Sequence, residues 1–349
     1  MGQEIKILQI VSITMLGLLF ILFLYLIVRK TIEIKENKYI QQKVDQLKMP
    51  IIRYLQWGKE MEMENIELRE KRLDKVALEK ILSHFSEMIE GTEEENRLQK
   101  IANLYLKSYY LKNLQAWSWS KRMNVLYKIE DFHMEGLEEA VVQKLNGSRK
   151  ISVEEKIQIY RILSSFQYEA IVSLLIQDES LTEKEYRSML IRLNMDLFHT
   201  LLSSFSECRE ALQLAILDVM SLRKKIDHID FLENTFHMYS GEVRVRALKA
   251  ISSVGFVSNI APYITLSHST VWEERMMLAK LLGITKNSDY LPILRELIHD
   301  SSWWVRSQAA ESIIKYKQGK EVLQDILDYS KDVFAKDMAL EWLNKGAIE

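Results

Sequence analysis

The densest group of side chains able to hold a metal or move a proton is Asp227-His228-Ile229-Asp230. Its donors fall at i, i+1 and i+3, and neighbours at i and i+1 leave a helix in different directions. They do not converge on one ion, and the group reads as a solvated helix end. The other six histidines, at 84, 133, 199, 237, 268 and 299, are scattered. The chain holds no GxSxG elbow, no Walker loop, no GxGxxG and no HExxH. Cys208 is the only cysteine, which excludes an intrachain disulfide and a multi-cysteine metal site, and it suits a reducing compartment. Asn146-Gly147-Ser148 matches a glycosylation sequon, which has no meaning on a cytoplasmic domain. The sequence therefore predicts no catalytic residue, no cofactor and no enzyme. The competing reading is an enzyme whose site is assembled from residues without a local motif.

What recurs instead is a cation set among apolar residues. Val243-Arg-Val-Arg246, Trp272-Glu-Glu-Arg275 and Trp303-Trp-Val-Arg306 each lead into apolar residues three, four and seven positions past the arginine. Arg246, Arg275 and Arg306 stand 29 and 31 residues apart, and Pro262 and Pro292 repeat at 30. The phase runs on to Val333 and Lys336, with Ala339, Leu340 and Leu343. Upstream, Trp119 with Arg122 and Val153 with Lys156 fit it, whereas the spacing is irregular around Arg187 and Arg209. Proline near a helix start costs little, because that N–H has no partner in the helix. A period near 30 with two helices per unit is the mark of an α-solenoid, in which stacked units bury a shared core. Ala250, Ala279 and Ala310 are expected to let helices approach closely, with Leu278, Leu282, Ile313 and Ile314 filling the layer. Arg246, Arg275 and Arg306 are expected to bond to carbonyls or acids of the adjacent turn.

The stretch Tyr290-Leu-Pro-Ile-Leu-Arg-Glu-Leu-Ile-His-Asp300, followed by Trp304-Val-Arg306-Ser-Gln-Ala-Ala310, resembles a HEAT repeat of the short, bilin-lyase-like type. The resemblance covers about 231–317 and extends to 334–343. It implies that Asp300, before the inter-helix turn, and Arg306, early in the second helix, are the family's paired positions. Ser or His stands upstream of Arg246 and Arg275, so the ladder of such pairs is expected to be interrupted there. The di-iron deoxyhypusine hydroxylases of this repeat class carry His-Glu pairs. This sequence has no His-Glu dipeptide, so that chemistry is not carried over. The Lys- and Ile-rich, Cys-poor composition is similar to that of membrane-anchored bacterial proteins.

The elements that must position these residues begin with residues 7–28, which carry no charge. Sixteen of them are Ile, Leu, Val or Phe, which favours insertion into a bilayer by about 5–10 kcal/mol. Lys6 precedes the stretch, whereas Arg29, Lys30, Lys35, Lys38, Lys43 and Lys48 follow it, predicting the N-terminus outside and the C-terminal side cytoplasmic. The expected order is a short tail at 1–6, a transmembrane helix at 7–28 and a juxtamembrane stalk at 29–49. A helical region at 50–115 and HEAT-like repeats at 116–349, clearest at 231–317, follow. Pro50 is expected to end the stalk, and the seam Ile40, Val44, Leu47, Ile51 to lie on it, too short to specify a homodimer. An amphipathic helix is expected between Lys59 and Ile89, and a capping box at Thr92 and Glu95. With only three prolines and 11 glycines, the fold class is all-α.

A net charge of −2 with no basic stripe argues against nucleic acid. The expected function is a non-catalytic adaptor holding a protein partner at a membrane, for example as an accessory subunit of an envelope glycosyltransferase. Exposed second-helix positions Arg244, Lys249, Lys280, Gln308, Glu311 and Lys315 would supply the contact surface. Adjacent residues on a helix point apart, so one of Trp303 and Trp304 is expected to be exposed as an anchor.

Overall fold

The computed structural model describes residues 2–58, 68, 71–89, 91–147 and 151–345, and among them there is no strand. They fall into two compact units, 1–166 and 167–349. Ser148 of the sequon, Glu90 and residues 59–67 and 69–70 of the charge-dense segment lie outside the described residues.

The first unit contains α1 (Gly2–Trp57), α2 (Arg72–Ser86), α3 (Thr92–Leu114), α4 (Trp119–Asp131), α5 (Glu138–Asn146) and α6 (Val153–Ser165). α1 runs straight through Pro50, which the sequence reading took as its end. An internal proline costs about 3 kcal/mol. Here the cost is offset by Leu47, Ile51, Tyr54 and Leu55, all buried, each stabilising by about 1.5–3 kcal/mol. The helix stops at Gly58, whose φ of 63° gives the left-handed cap that favours glycine. Arg97 of α3 closes that end, donating to the carbonyls of Leu55 (2.7 Å) and Gln56 (3.1 Å).

The heptad-like seam is therefore no open stalk. α2 packs along it, with Tyr39 Oη donating to Asp74 (2.7 Å) and Arg72 pairing with Glu36 (2.7 Å). Val44 faces Ile81 and Phe85 across a small cleft. α3 begins differently from the expected capping box: Gly91 is the cap, Thr92 is the first helical residue, and no side chain caps the turn. Glu93, Glu94 and Glu95 sit in that first turn, where the helix dipole favours them. A capping box does form at α6, between Ser152 and Glu155.

Upstream of all this packing, α1 from Ser12 onward is exposed and apolar, with mean hydropathy 2.2 over its richest 18 residues. It is long and apolar enough to cross a membrane. Thr14 and Thr31 return their hydroxyls to the carbonyls of Ile10 and Ile27, so these polar groups do not oppose an apolar surrounding.

The second unit is a two-layered stack. α8 (Glu183–Leu190), α10 (Glu210–Arg223), α12 (Gly241–Val254), α14 (Trp272–Thr285), α16 (Trp303–Ile314) and α18 (Val333–Lys345) pack in sequence as one layer. α7 (Ile171–Gln177), α9 (Met195–Ser203), α11 (Ile229–Met238), α13 (Ala261–Ile264), α15 (Leu291–Leu297) and α17 (Gly319–Tyr329) form the other. Pro262 and Pro292 are the second residues of α13 and α15, near the helix starts as their spacing predicts. Ala250, Ala279, Ala310, Leu278, Leu282 and Ile313 are fully buried, and Ile314 is half-buried. α14 and α16 approach closely at Gly283, where an added Cβ would lie 2.5 Å from Ser312 Oγ and 3.0 Å from its Cα.

Three successive second-layer helices end on left-handed residues, Lys224, Gly255 and Lys286, with φ of 50°, 79° and 51°. They are spaced by 31 residues, which fixes the period more tightly than the sequence pattern did.

Candidate protein-interaction surface

The 31-residue register reassigns the arginines. The fourth residues of α10, α12, α14 and α16 are Gln213, Arg244, Arg275 and Arg306. Each reaches back to the turn that precedes its helix. Gln213 donates to Phe205 O (2.9 Å), Arg244 to Phe236 O (3.2 Å), Arg275 to Ser269 O (2.7 Å), and Arg306 to Asp300 O (2.8 Å) and Ser301 O (3.0 Å). Phe205 O also accepts from Cys208 N (3.2 Å), whereas the arginines reach carbonyls left over where the preceding helix ends, so the side chain acts as a built-in cap. Arg246 does not hold this position. It pairs across the layer with Glu183 and Asp218 (both 2.8 Å) and along its own helix with Glu242 (2.9 Å).

Arg244, expected to be free for a partner, is instead locked in place. Its Nε donates to the buried carboxylate of Glu274 (2.6 Å), and its guanidinium lies 4.0 Å from the Phe236 ring centre. The ladder does not break at Arg275 either. Asp300 pairs with the arginine of the preceding unit, accepting from Arg275 Nε (2.5 Å) and NH2 (2.8 Å), and also from Ser302 N (2.7 Å). Burial pushes the Asp300 carboxyl up, but these bonds outweigh it and hold it below the usual range. The break falls one unit later. Arg306 is buried, its Nε finds no partner among the described residues, and its guanidinium lies 5.0 Å from the exposed Phe334 ring. Ser330 stands where an acid would continue the ladder. In the first unit Arg122, the fourth residue of α4, repeats the device. It caps Ala116 O (2.9 Å) and Trp117 O (2.8 Å) and pairs with buried Glu155 (2.6 and 3.0 Å).

The same register lines up Asp218, Lys249, Lys280 and Glu311, one per helix across the second layer. Asp218 is buried and taken by Arg187 (3.0 Å) and Arg246, with Lys249 at 3.8 Å. Glu311 is taken by Lys315 (2.6 Å) and by Gln308 (3.2 Å). Lys280 is half-buried and makes no ion pair or hydrogen bond among the described residues. Burial lowers its pKa, and Lys224, Lys315 and Lys249 lower it further, with Glu311 opposing them.

Both tryptophans of α16 are exposed, rather than one. Trp303 is 46% and Trp304 57% accessible. Trp304 stacks on Trp272 at 6.4 Å, and Trp303 meets it edge-on at 4.8 Å. Trp304, Gln308, Glu311 and Lys315 follow one another at spacings of four, three and four, so the cluster heads the α16 stripe.

Elsewhere the groups with latent chemistry are internal. His228 is buried rather than solvated, its Nε2 lacks a partner among the described residues, and burial with nearby His199 lowers its pKa. Cys208 is buried and its thiol is pushed up to about 11, first by burial and then by Glu207. Among the described residues no three His, Cys, Asp or Glu side chains gather as a metal site.

The arrangement is that of a HEAT-type α-solenoid. The family of HEAT repeats matches residues 229–314 and 260–343, together about a third of the chain. The C-terminal part of the protein thus consists of HEAT repeats. No curated protein matches the sequence. A solved structure of human deoxyhypusine hydroxylase in complex with glycerol is similar at 15% identity, over 72% of this chain and 99% of that one, with a TM-score of 0.29.

Proposed function

We propose that the protein is a non-catalytic, membrane-anchored HEAT-repeat scaffold. In this reading residues 7–28 cross a bilayer with the N-terminus outside, and the repeats hold a protein partner on the cytoplasmic side. An accessory subunit of an envelope glycosyltransferase complex is one role of this kind. The observation that carries the proposal is the open cluster of Trp272, Trp303 and Trp304. Tryptophan is enriched among the residues that dominate binding energies, and a folded domain gains nothing by leaving two such rings in water.

The supporting geometry is the repeat layer itself, which sets the side-chain stripes of successive helices next to one another. The test is crosslinking in living cells from a photoreactive residue at position 304, followed by purification in mild detergent. A single stoichiometric protein should be captured, and Trp304→Ala should lose it without lowering the midpoint of thermal unfolding. Capture of nothing stoichiometric, or unfolding of the domain by Trp304→Ala, counts against the scaffold.

A further inference from the structure

Lys280 is the odd member of its row. Every other charge in the register is matched: Asp218 by arginines, Lys249 by Asp218 at 3.8 Å, Glu311 by Lys315. A half-buried ammonium has lost part of its hydration, and with no carboxylate bonded to it that loss is uncompensated. Its charged surroundings are Lys224, Lys249 and Lys315, and the one acid among them, Glu311, is already engaged.

One helical turn further along α14 the surface changes character. Ile284 is exposed and, with Gly255, Phe256, Val257, Leu281 and Thr285, lines a shallow cleft of about 280 Å³. Phe256 is also exposed. Gly255 contributes to the opening: its left-handed φ of 79° turns the chain sharply, and its missing side chain leaves the space beside Ile284. Residues four apart on a helix are neighbours, with Cβ atoms about 5–6 Å apart. Lys280 and Ile284, which lines the cleft, are therefore neighbours on α14.

We infer that this patch receives an acidic segment of the partner protein, with a carboxylate on Lys280 and an apolar side chain of the same segment in the cleft at Ile284. The inference rests on the scaffold reading and names the chemistry of its partner. A carboxylate here gains a charge-assisted bond to Lys280 and the attraction of nearby Lys224, whereas a basic or neutral segment leaves Lys280 without a bonded acid. The apolar neighbour excludes water from the pair and fixes its register.

The probe is a short fluorescein-labelled Gly/Ser peptide carrying a glutamate pair and one phenylalanine, with a glutamine-for-glutamate version as control. Both are titrated by fluorescence anisotropy against the full chain in zwitterionic lipid nanodiscs, with empty nanodiscs as blank. The acidic peptide is expected to bind and to weaken with salt. Lys280→Gln should reduce its affinity about tenfold or more, Lys280→Arg should retain it, and Ile284→Asp should abolish it. Lys280→Gln removes an unpaired half-buried charge, so its thermal midpoint should be equal to or above that of the unsubstituted chain. This separates lost binding from lost folding. Equal binding of the glutamine peptide, or undiminished binding by Lys280→Gln, overturns the inference. If no peptide binds while position 304 still crosslinks a protein in cells, the acidic chemistry falls and the scaffold stands. If both fail, both fall.

Discussion

Replacing Glu155 with Gln removes one negative charge from a site that holds two cations and almost no water. The Glu155 side chain is fully buried, with Arg122 Nε at 2.6 Å and Lys144 Nζ at 3.4 Å. Burial alone would raise this carboxyl. The bonds from Arg122 and from Ser152 N–H, with the charge of Lys144, overcome it and hold the group at about 2 against an ordinary 4.5. A displacement of that size is worth about 3 kcal/mol at neutral pH. Measured losses on deleting one partner of a buried pair, about 3–5 kcal/mol, agree. Glutamine keeps the length and still accepts the Ser152 N–H, so the capping box survives and the charge is tested alone. The expected loss, about 3 kcal/mol, lowers the midpoint of a unit this size by about 6–12 °C, readable by calorimetry of the full chain in mild detergent. The folded pKa lies below the unfolded one. The stabilisation is therefore complete above about pH 4.5 and fades as the pH falls toward 2, where native and variant proteins should converge. A loss under about 1 kcal/mol at neutral pH, or a difference unchanged on acidification, would refute the reasoning.

Arg244→Gln should destabilise the second unit by about 3 kcal/mol in denaturant titrations, because buried Glu274 loses its cation and keeps only the Ser269 hydroxyl; a loss below about 0.5 kcal/mol would return Arg244 to the free surface. Gly283→Ala should cost about 1–3 kcal/mol, as its new methyl meets the Ser312 backbone as well as its side chain, and Ser312→Gly on the same chain should recover part of that loss. Lys286→Gly should stabilise by up to about 1 kcal/mol, since a side chain at φ 51° carries a penalty that glycine lacks. An unchanged midpoint there would mean that Lys286 is not held in the left-handed region.

The repeat was legible because its helix starts carry bulky apolar residues and a cation, and these survive as a period near 30 however the loops vary. The register within it was not. Val243-Arg-Val-Arg246 offers two arginines two positions apart, and a period known only to within a residue or two cannot choose between them. The choice is made by geometry: only the fourth helical residue reaches the preceding turn, and that is Arg244. Gln213 escaped notice for a chemical reason, since an amide caps a carbonyl as an arginine does but carries no charge to search for. The left-handed residues at 224, 255 and 286 were the signal that could have settled the matter, but two of them are lysine rather than glycine. That the Asp300 carboxylate bonds Arg275 of the preceding unit could not be read along the chain, because the bond runs between units. Lys280 was singled out as exposed; what sequence could not show is that its neighbours' acids are already spent.

Pro50 carries the largest consequence. A proline rule ends a helix where nothing else holds it, and here Leu47, Ile51, Tyr54 and Leu55 hold it on both sides of the proline. The result is one helix of 56 residues, about 84 Å long, whose C-terminal third is part of the first unit's own core. An anchor joined to its domain by a flexible stalk raises the local concentration of the domain and leaves its orientation free. An anchor that is itself a core helix fixes both. Between Val28, the end of the uncharged stretch, and Glu36, the first residue that Arg72 of α2 grips, the helix advances eight residues, or about 12 Å. In the proposed membrane setting α2 and Arg72 would therefore stand at a set height just beyond the headgroups, turned to one side of α1. A partner that docks on the first unit would be selected there by position and direction as well as by contact.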